Sequence, residues 1–325
     1  MSKISKLGSF LLSVAILAFS GWVVLNRQFV LDHVRAWQFQ PSTEIAQLAT
    51  NAGMSEHGRF QFYVTQPRLE SSNEFNAECR RSEKASPILG CYKPGEDTIH
   101  IYNVPNPELD GIKEVTAAHE MLHAAWSRLS EAEKQRLGQL LEHAYANIKD
   151  SKLEERMAYY DRAQPGSRSN ELHSILGTEH ADLGSELETH YARFFSDRSR
   201  VVALHAKYNQ RFVDLEQQVA TLQAKLKQQR AVIEQRKESY DTSMTVLNDK
   251  IRDFNQRATS GGFGSQQQFQ AERSQLQAEG QRLSSQKAAL LQQIDQYNAD
   301  VEKLNALGEQ ADRLSQSLDS QRAVE

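Results

Sequence analysis

From Val201 to Glu325 the chain has no proline, and its apolar residues recur in heptads. Tyr208, Phe212, Leu215, Val219, Leu222 and Leu226 follow steps of four and three, with Ile233 seven further on. Beyond Ser260-Gly261-Gly262-Phe263-Gly264, one heptad position reads Phe269, Leu276, Leu283, Leu290, Tyr297, Leu304, Ala311. Ile294 and Val301 supply part of a second seam. This stretch carries 16 basic and 16 acidic side chains and 22 glutamines, so it has too little apolar surface for a globular core. Such a pattern folds as long helices that pair along a narrow seam. Two arms of similar length around a Gly-rich turn predict an antiparallel coiled-coil hairpin, each arm about 80 Å long at the helical rise. An intermolecular coiled coil with a flexible break is the alternative. In both, residues 201–325 form a spacer or a docking stalk for a protein partner, or a solvated helix pair.

The first 200 residues are a different object. All seven prolines fall at or before Pro165 and all three tryptophans at or before Trp126. Leu7 to Leu25 has no charged side chain, and its 19 residues are long enough to cross a hydrocarbon core as a helix. Lys3 and Lys6 precede it, which keeps the N-terminus in the cytoplasm, and Trp22 stands where an interfacial aromatic belongs. Residues 1–28 are therefore expected to be a transmembrane signal-anchor. The rival is a cleaved signal peptide, for which Ala18-Phe19-Ser20 is a poor processing site. Either way the remainder lies outside the cytoplasm, at the cell membrane. There the two cysteines, Cys79 and Cys91, are expected to pair.

Residues 29–54 read as a juxtamembrane helix and linker, with Ser42 or Thr43 capping a short helix closed by Gly53. Arg59 to Val64 is aromatic and β-prone and is expected to be a strand. Ile88–Tyr92 and Thr98–Tyr102, around the turn residues Lys93-Pro94-Gly95-Glu96-Asp97, predict a hairpin with Ile99 and Ile101 on one face. Ser130-Glu131-Ala132-Glu133 is a capping box for a helix to about Ile148, with Leu137, Leu140, Leu141 and Ala144 on its apolar stripe. Helical pieces follow over Leu153–Arg162, after Ser169 or Asn170, and over Leu183–Phe195, where Tyr191, Phe194 and Phe195 are expected to bury. A net charge of −4 without a basic cluster argues against a nucleic-acid partner.

Between hairpin and capping box lies Ala117-Ala118-His119-Glu120-Met121-Leu122-His123-Ala124-Ala125. Small and apolar residues favour a helix here. Four residues are just over one turn, so His119 and His123 project from one face and can take two corners of a tetrahedral metal site. Glu120 is placed to act as general base toward a water there.

His119, Glu120 and His123 resemble the motif of the His-Glu-x-x-His zinc metallopeptidases, the zincins. The resemblance covers roughly residues 55–195 and is sharp only in the motif. It implies an α+β zincin-like catalytic domain over residues 55–200, a small β-sheet plus helices, between the transmembrane helix and the all-α coiled-coil hairpin. It further implies Zn2+ as cofactor, a zinc-activated water with Glu120 as general base, and peptide-bond hydrolysis of a protein or peptide substrate held on the edge strand of the sheet. A third protein ligand is then needed. Glu171 is expected, because Asn170-Glu171-Leu172-His173-Ser174 resembles the later-helix pattern of zincins with a glutamate ligand. Glu179 is the alternative, and His143, His173, His180 and His190 remain further candidates. The aspartate that often follows the ligand by four residues is replaced by Ile175, which leaves the orienting partner of a zinc histidine unlocated. His173, or Tyr191, could stabilise the oxyanion of a tetrahedral intermediate; otherwise both are packing residues. As a whole the chain resembles uncharacterised membrane-anchored bacterial metallopeptidases. The rival function is a coiled-coil envelope or cell-wall interaction protein with a structural or inactive zinc site.

Overall fold

A computed structural model describes residues 3–80, 88–148 and 150–322, with side chains from Phe10 onward. The fold is mostly helical, with one three-stranded sheet and two very long C-terminal helices. The chain divides into two compact units, Met1–Arg211 with Leu314–Glu325, and Phe212–Arg313.

In the first unit, α1 (Lys3–Leu25) is apolar and exposed from Phe10 to Leu25. Among the described residues no single helix is long and apolar enough to cross a membrane. α1 and α2 (Arg27–Gln38) pass that test only together, across an 84° bend. The flank expected from Lys3 and Lys6 lies outside the described side chains. Ser42 caps α3 (Thr43–Asn51) by accepting the Ile45 amide at 3.2 Å, as its position before an apolar period predicts.

The segment read as a strand, Arg59 to Val64, is instead helix α4 (Glu56–Val64). Ser55 caps it through the Gly58 amide at 3.0 Å, and Gly58, Gln61 and Phe62 bury at helical spacing. The aromatic residues misled because their β preference is overridden by this cap and by tertiary packing. Gly58 lies so close to the Phe194 carbonyl that a Cβ would sit 2.0 Å from its oxygen. The strand comes later: β1 (Arg68–Glu70) follows Pro67 and pairs in parallel with β3 (Thr98–Tyr102). On the other side of β3, β2 (Gly90–Lys93) pairs antiparallel, which is the expected hairpin. Both faces of β3 are covered. Ile99 and Ile101 are fully buried, while His100 bonds Glu70 at 2.9 Å and Tyr102 packs on Phe75 of α5 (Ser72–Glu78). The Cys79–Cys91 disulfide ties the end of α5 to β2.

The core is centred on α6 (Ile112–Ser127), which contacts α3, α4, β2, β3 and, most extensively, α9 (Arg168–Glu179). The Ser130 box caps α7 (Glu131–Ile148), with Glu133 accepting from the Ser130 amide at 3.0 Å. Leu137, Leu141 and Ala144 are buried as expected. α8 (Ser151–Ala163) is capped by Asp150, and α10 (Ser185–Tyr191) brings Tyr191, Phe194 and Phe195 into the core.

Helix α11 (Ser199–Ser260) begins in the first unit, and α12 (Gln266–Leu318) ends there. The boundary thus falls after Arg211 and before Leu314, inside these helices, rather than at residue 200. In the second unit the two helices run antiparallel. Gln229 bonds Asp300, Lys250 pairs with Glu279, and Arg257 pairs with Glu272, a fixed register along both arms. The expected heptad positions are buried or half-buried throughout. Phe254, Phe263 and Phe269 close the tip with ring centroids 5.1–5.2 Å apart. One seam position is acidic. Asp300 is buried, and the hydrogen bond from Lys225 at 2.7 Å helps hold its carboxyl down at about 2.

Candidate metal centre

His119 and His123 face one way from α6, as the four-residue spacing requires, with ring nitrogens Nε2 3.1 Å apart. α9 crosses α6 there and brings Glu171, with Oε2 3.7 Å from His123 Nε2 and 3.9 Å from His119 Nε2. The close crossing depends on small residues. Ser174 is fully buried, and a Cβ on Gly177 would lie 2.6 Å from Leu122 and from Tyr191. His119, His123 and Glu171 are the one group among the described residues whose donor atoms could hold a metal ion, all within 4.8 Å of one another.

These residues fit a zinc-type cation. Two nitrogens at tetrahedral corners of such an ion lie about 3.3 Å apart, given metal–nitrogen distances near 2.0–2.1 Å. Glu171 is buried, and its Oε2 has no hydrogen-bond partner. Burial pushes its carboxyl above the ordinary range, opposed by His123, Arg156 and a hydrogen bond from Tyr160. An unpaired buried carboxylate oxygen is costly, and a cation removes that cost. Burial, with the nearby His123 and Arg156, holds His119 well below its usual range, which keeps it neutral with a lone pair to give.

Asn170 stands where sequence left the orienting partner of a metal-binding histidine unlocated. Its Oδ1 lies 3.0 Å from His123 Nδ1, with Ser174 Oγ at 3.2 Å. An acceptor there places the proton on Nδ1 and turns the Nε2 lone pair toward Glu171 and His119. Asn170 was legible as the neighbour of the ligand, not in this role.

The centre opens on a cleft of about 470 Å³. Glu120 lines it, buried, and burial pushes its carboxyl up to about 7, countered in part by His123 and by the Tyr92 backbone N–H that it accepts. β2 forms the opposite lip. Leu89 O accepts from Tyr102 N at 2.8 Å, so alternation along the antiparallel pair turns the backbone groups of Gly90 and Tyr92 outward, away from β3. β2 is an edge strand, and that free edge faces the cleft. A Cβ at 90 would meet Thr116 Cγ2 at 2.7 Å and Glu120 Oε1 at 2.8 Å, so any other residue there must displace one of these side chains.

Other expected residues lie elsewhere. His173 is fully buried and does not line the cleft. It bonds His190 at 2.9 Å and packs on Trp126 and Tyr191, whose hydroxyl donates to the His173 carbonyl at 2.8 Å. The structure therefore brings neither His173 nor Tyr191 to a position for oxyanion contact. Glu179 reaches the cleft wall but is engaged by Arg156 at 2.7 Å and His205 at 3.3 Å. Arg156 and Tyr160 of α8 line the cleft without having been singled out. Their four-residue spacing marked a common helix face; which way that face points was set only by packing. Compared with models of known protein families, with curated proteins and with solved structures, the chain gives no match.

Proposed function

We propose that the protein is a membrane-anchored, extracytoplasmic, zinc-dependent endopeptidase of zincin type. The observation that carries this reading is a single cleft containing the His119–His123–Glu171 donor set, the carboxylate of Glu120 and the free edge of β2. A structural metal site is closed by its ligands and has no use for an adjacent base or an open edge strand.

His119, His123 and Glu171 would hold Zn2+, which when bound supplies Lewis acidity toward a carbonyl and a water. Asn170 fixes the His123 tautomer, and Tyr160 steadies Glu171. The outward N–H and C=O of Gly90 and the C=O of Tyr92 hold an extended peptide by strand addition. Glu120 takes the proton of the attacking water and passes it to the leaving amine. Arg156 and Tyr160 are among the polar groups of the cleft wall, whereas His173 is not. Outside the cytoplasm the Cys79–Cys91 disulfide is stable, which supports that location. The exposed apolar surface of α1 supports the anchor.

Glu120→Gln tests the chemistry. The variant keeps its metal and loses hydrolysis of an unstructured protein substrate by about 10²- to 10⁴-fold. Turnover equal to wild type removes Glu120 from the reaction and with it this mechanism.

A further inference from the structure

α2 has two unlike faces. At 100° per residue, Val30, Leu31, Val34 and Trp37 fall in one stripe. Leu31 and Val34 are exposed by 43 and 44 % and Trp37 by 84 %, while Val30 is half-buried at the edge of the stripe. The other face is fixed to the catalytic unit by charge. Arg128, at the C-terminal end of α6, donates to both carboxylate oxygens of Asp32 at 2.9 Å and to Asp97 at 2.9 Å. Arg35 donates to the Asp97 carboxylate at 3.0 Å and to the carbonyls of Asp97 and Glu96 at 2.8 and 2.9 Å. Asp32 is buried and Arg128 half-buried, so α2 is held in one orientation with its apolar stripe outward.

The bend between α1 and α2 is built as well. The Asn26 backbone N–H and its Nδ2 both donate to the Trp22 carbonyl at 2.9 Å, which fixes the residue at the bend, and Trp22 packs edge-on against Phe29 at 6.2 Å. The bend measures 84°. A helix that leaves a membrane-crossing segment at nearly a right angle runs in the plane of the membrane.

We propose that the stripe Val30–Leu31–Val34–Trp37 lies in the bilayer surface, at the boundary of headgroups and acyl chains, and lays the catalytic unit directly on the membrane. This rests on the anchor part of the reading above. Interfacial helices bury an apolar face by about 5–10 Å, and tryptophan favours that depth. The occupant is lipid rather than protein because the stripe continues from the apolar surface of α1. The arrangement also sets the reach of the site. Arg128 follows His119 by nine positions, about 14 Å at the helical rise. Adding the Arg128–Asp32 bridge places the metal ligands within about 25 Å of α2, given extended side-chain reach of a few ångströms per partner. A membrane-tethered substrate is therefore one that offers an extended segment close to the same membrane.

The test is tryptophan fluorescence of the full chain in phosphatidylcholine vesicles with bromine at shallow or at deep acyl carbons. Comparison of wild type with Trp37→Phe isolates Trp37, and comparison with Trp22→Phe isolates Trp22; both residues are exposed, so neither change disturbs the core. The expected result is quenching of Trp37 by about two-fold or more with shallow bromine and less with deep bromine, consistent with an interfacial depth. Quenching of Trp22 without Trp37, or Trp37 quenched most by deep bromine, overturns surface docking while the anchor stands. If neither is quenched, anchor and docking both fall.

Discussion

At the residue scale, the centre depends on which atoms are left unsatisfied. Glu171 Oε2 is buried without a partner, whereas Glu179 is engaged by Arg156 and His205. That difference separates two carboxylates that sequence could not rank by chemistry, since both lie on one helix. The lone-pair direction of His123 is set by Asn170 at 3.0 Å. Asn170→Ala is expected to weaken metal binding by about 10- to 100-fold, the usual effect of losing an orienting partner. Competition with a chromogenic chelator measures it; unchanged affinity would mean that Ser174 alone positions the ring. The candidate histidine pair was legible because helical spacing fixes His119 against His123. Asn170's role and the burial of His173 were not, because both depend on how closely α9 approaches α6.

At the element scale, the sheet edge and α6 are fitted to each other through Gly90. Its missing side chain lets Glu120 lie against β2 and accept the Tyr92 N–H. Gly90→Ala is expected to leave metal content unchanged and to lower peptidase turnover on the order of a hundredfold, the cost of misplacing a reacting group by about 1 Å. Metal analysis beside a turnover assay checks both halves, and full activity would show that neither Glu120 nor the edge needs this fit. The hairpin β2–β3, the α7 capping box and the heptad arms could be read from local signals. Arg59 to Val64 could not. Its aromatic residues favour a strand, yet Ser55 starts a helix there and the contact of Gly58 with Phe194 keeps it.

At the scale of the whole molecule, the long helices are shared between units. The first turns of α11 put His205 and Tyr208 beside Glu179 and the cleft. The end of α12 bonds Asn106 through Ser317 at 3.1 Å, and the turn just after it accepts from Asn76 at the Ser320 carbonyl at 2.9 Å. A chain cut at residue 200 therefore loses part of the first unit. Replacing only Phe212–Arg313 with a flexible Gly/Ser linker is expected to preserve fold, metal content and turnover on small peptides. Retained metal content with lost turnover would instead make the hairpin necessary for the proposed activity. The boundary inside continuous helices was invisible to sequence because heptad periodicity runs through it without a break.

The central claim is that His119, His123 and Glu171 form a metal centre. The most direct measurement is elemental metal content of the purified, folded full chain and of its variants. One equivalent of zinc is expected in wild type, Glu120→Gln and Glu179→Ala, and none in His123→Ala or Glu171→Ala. Folded wild type that takes up no zinc, or Glu171→Ala that retains a full equivalent, would contradict the account.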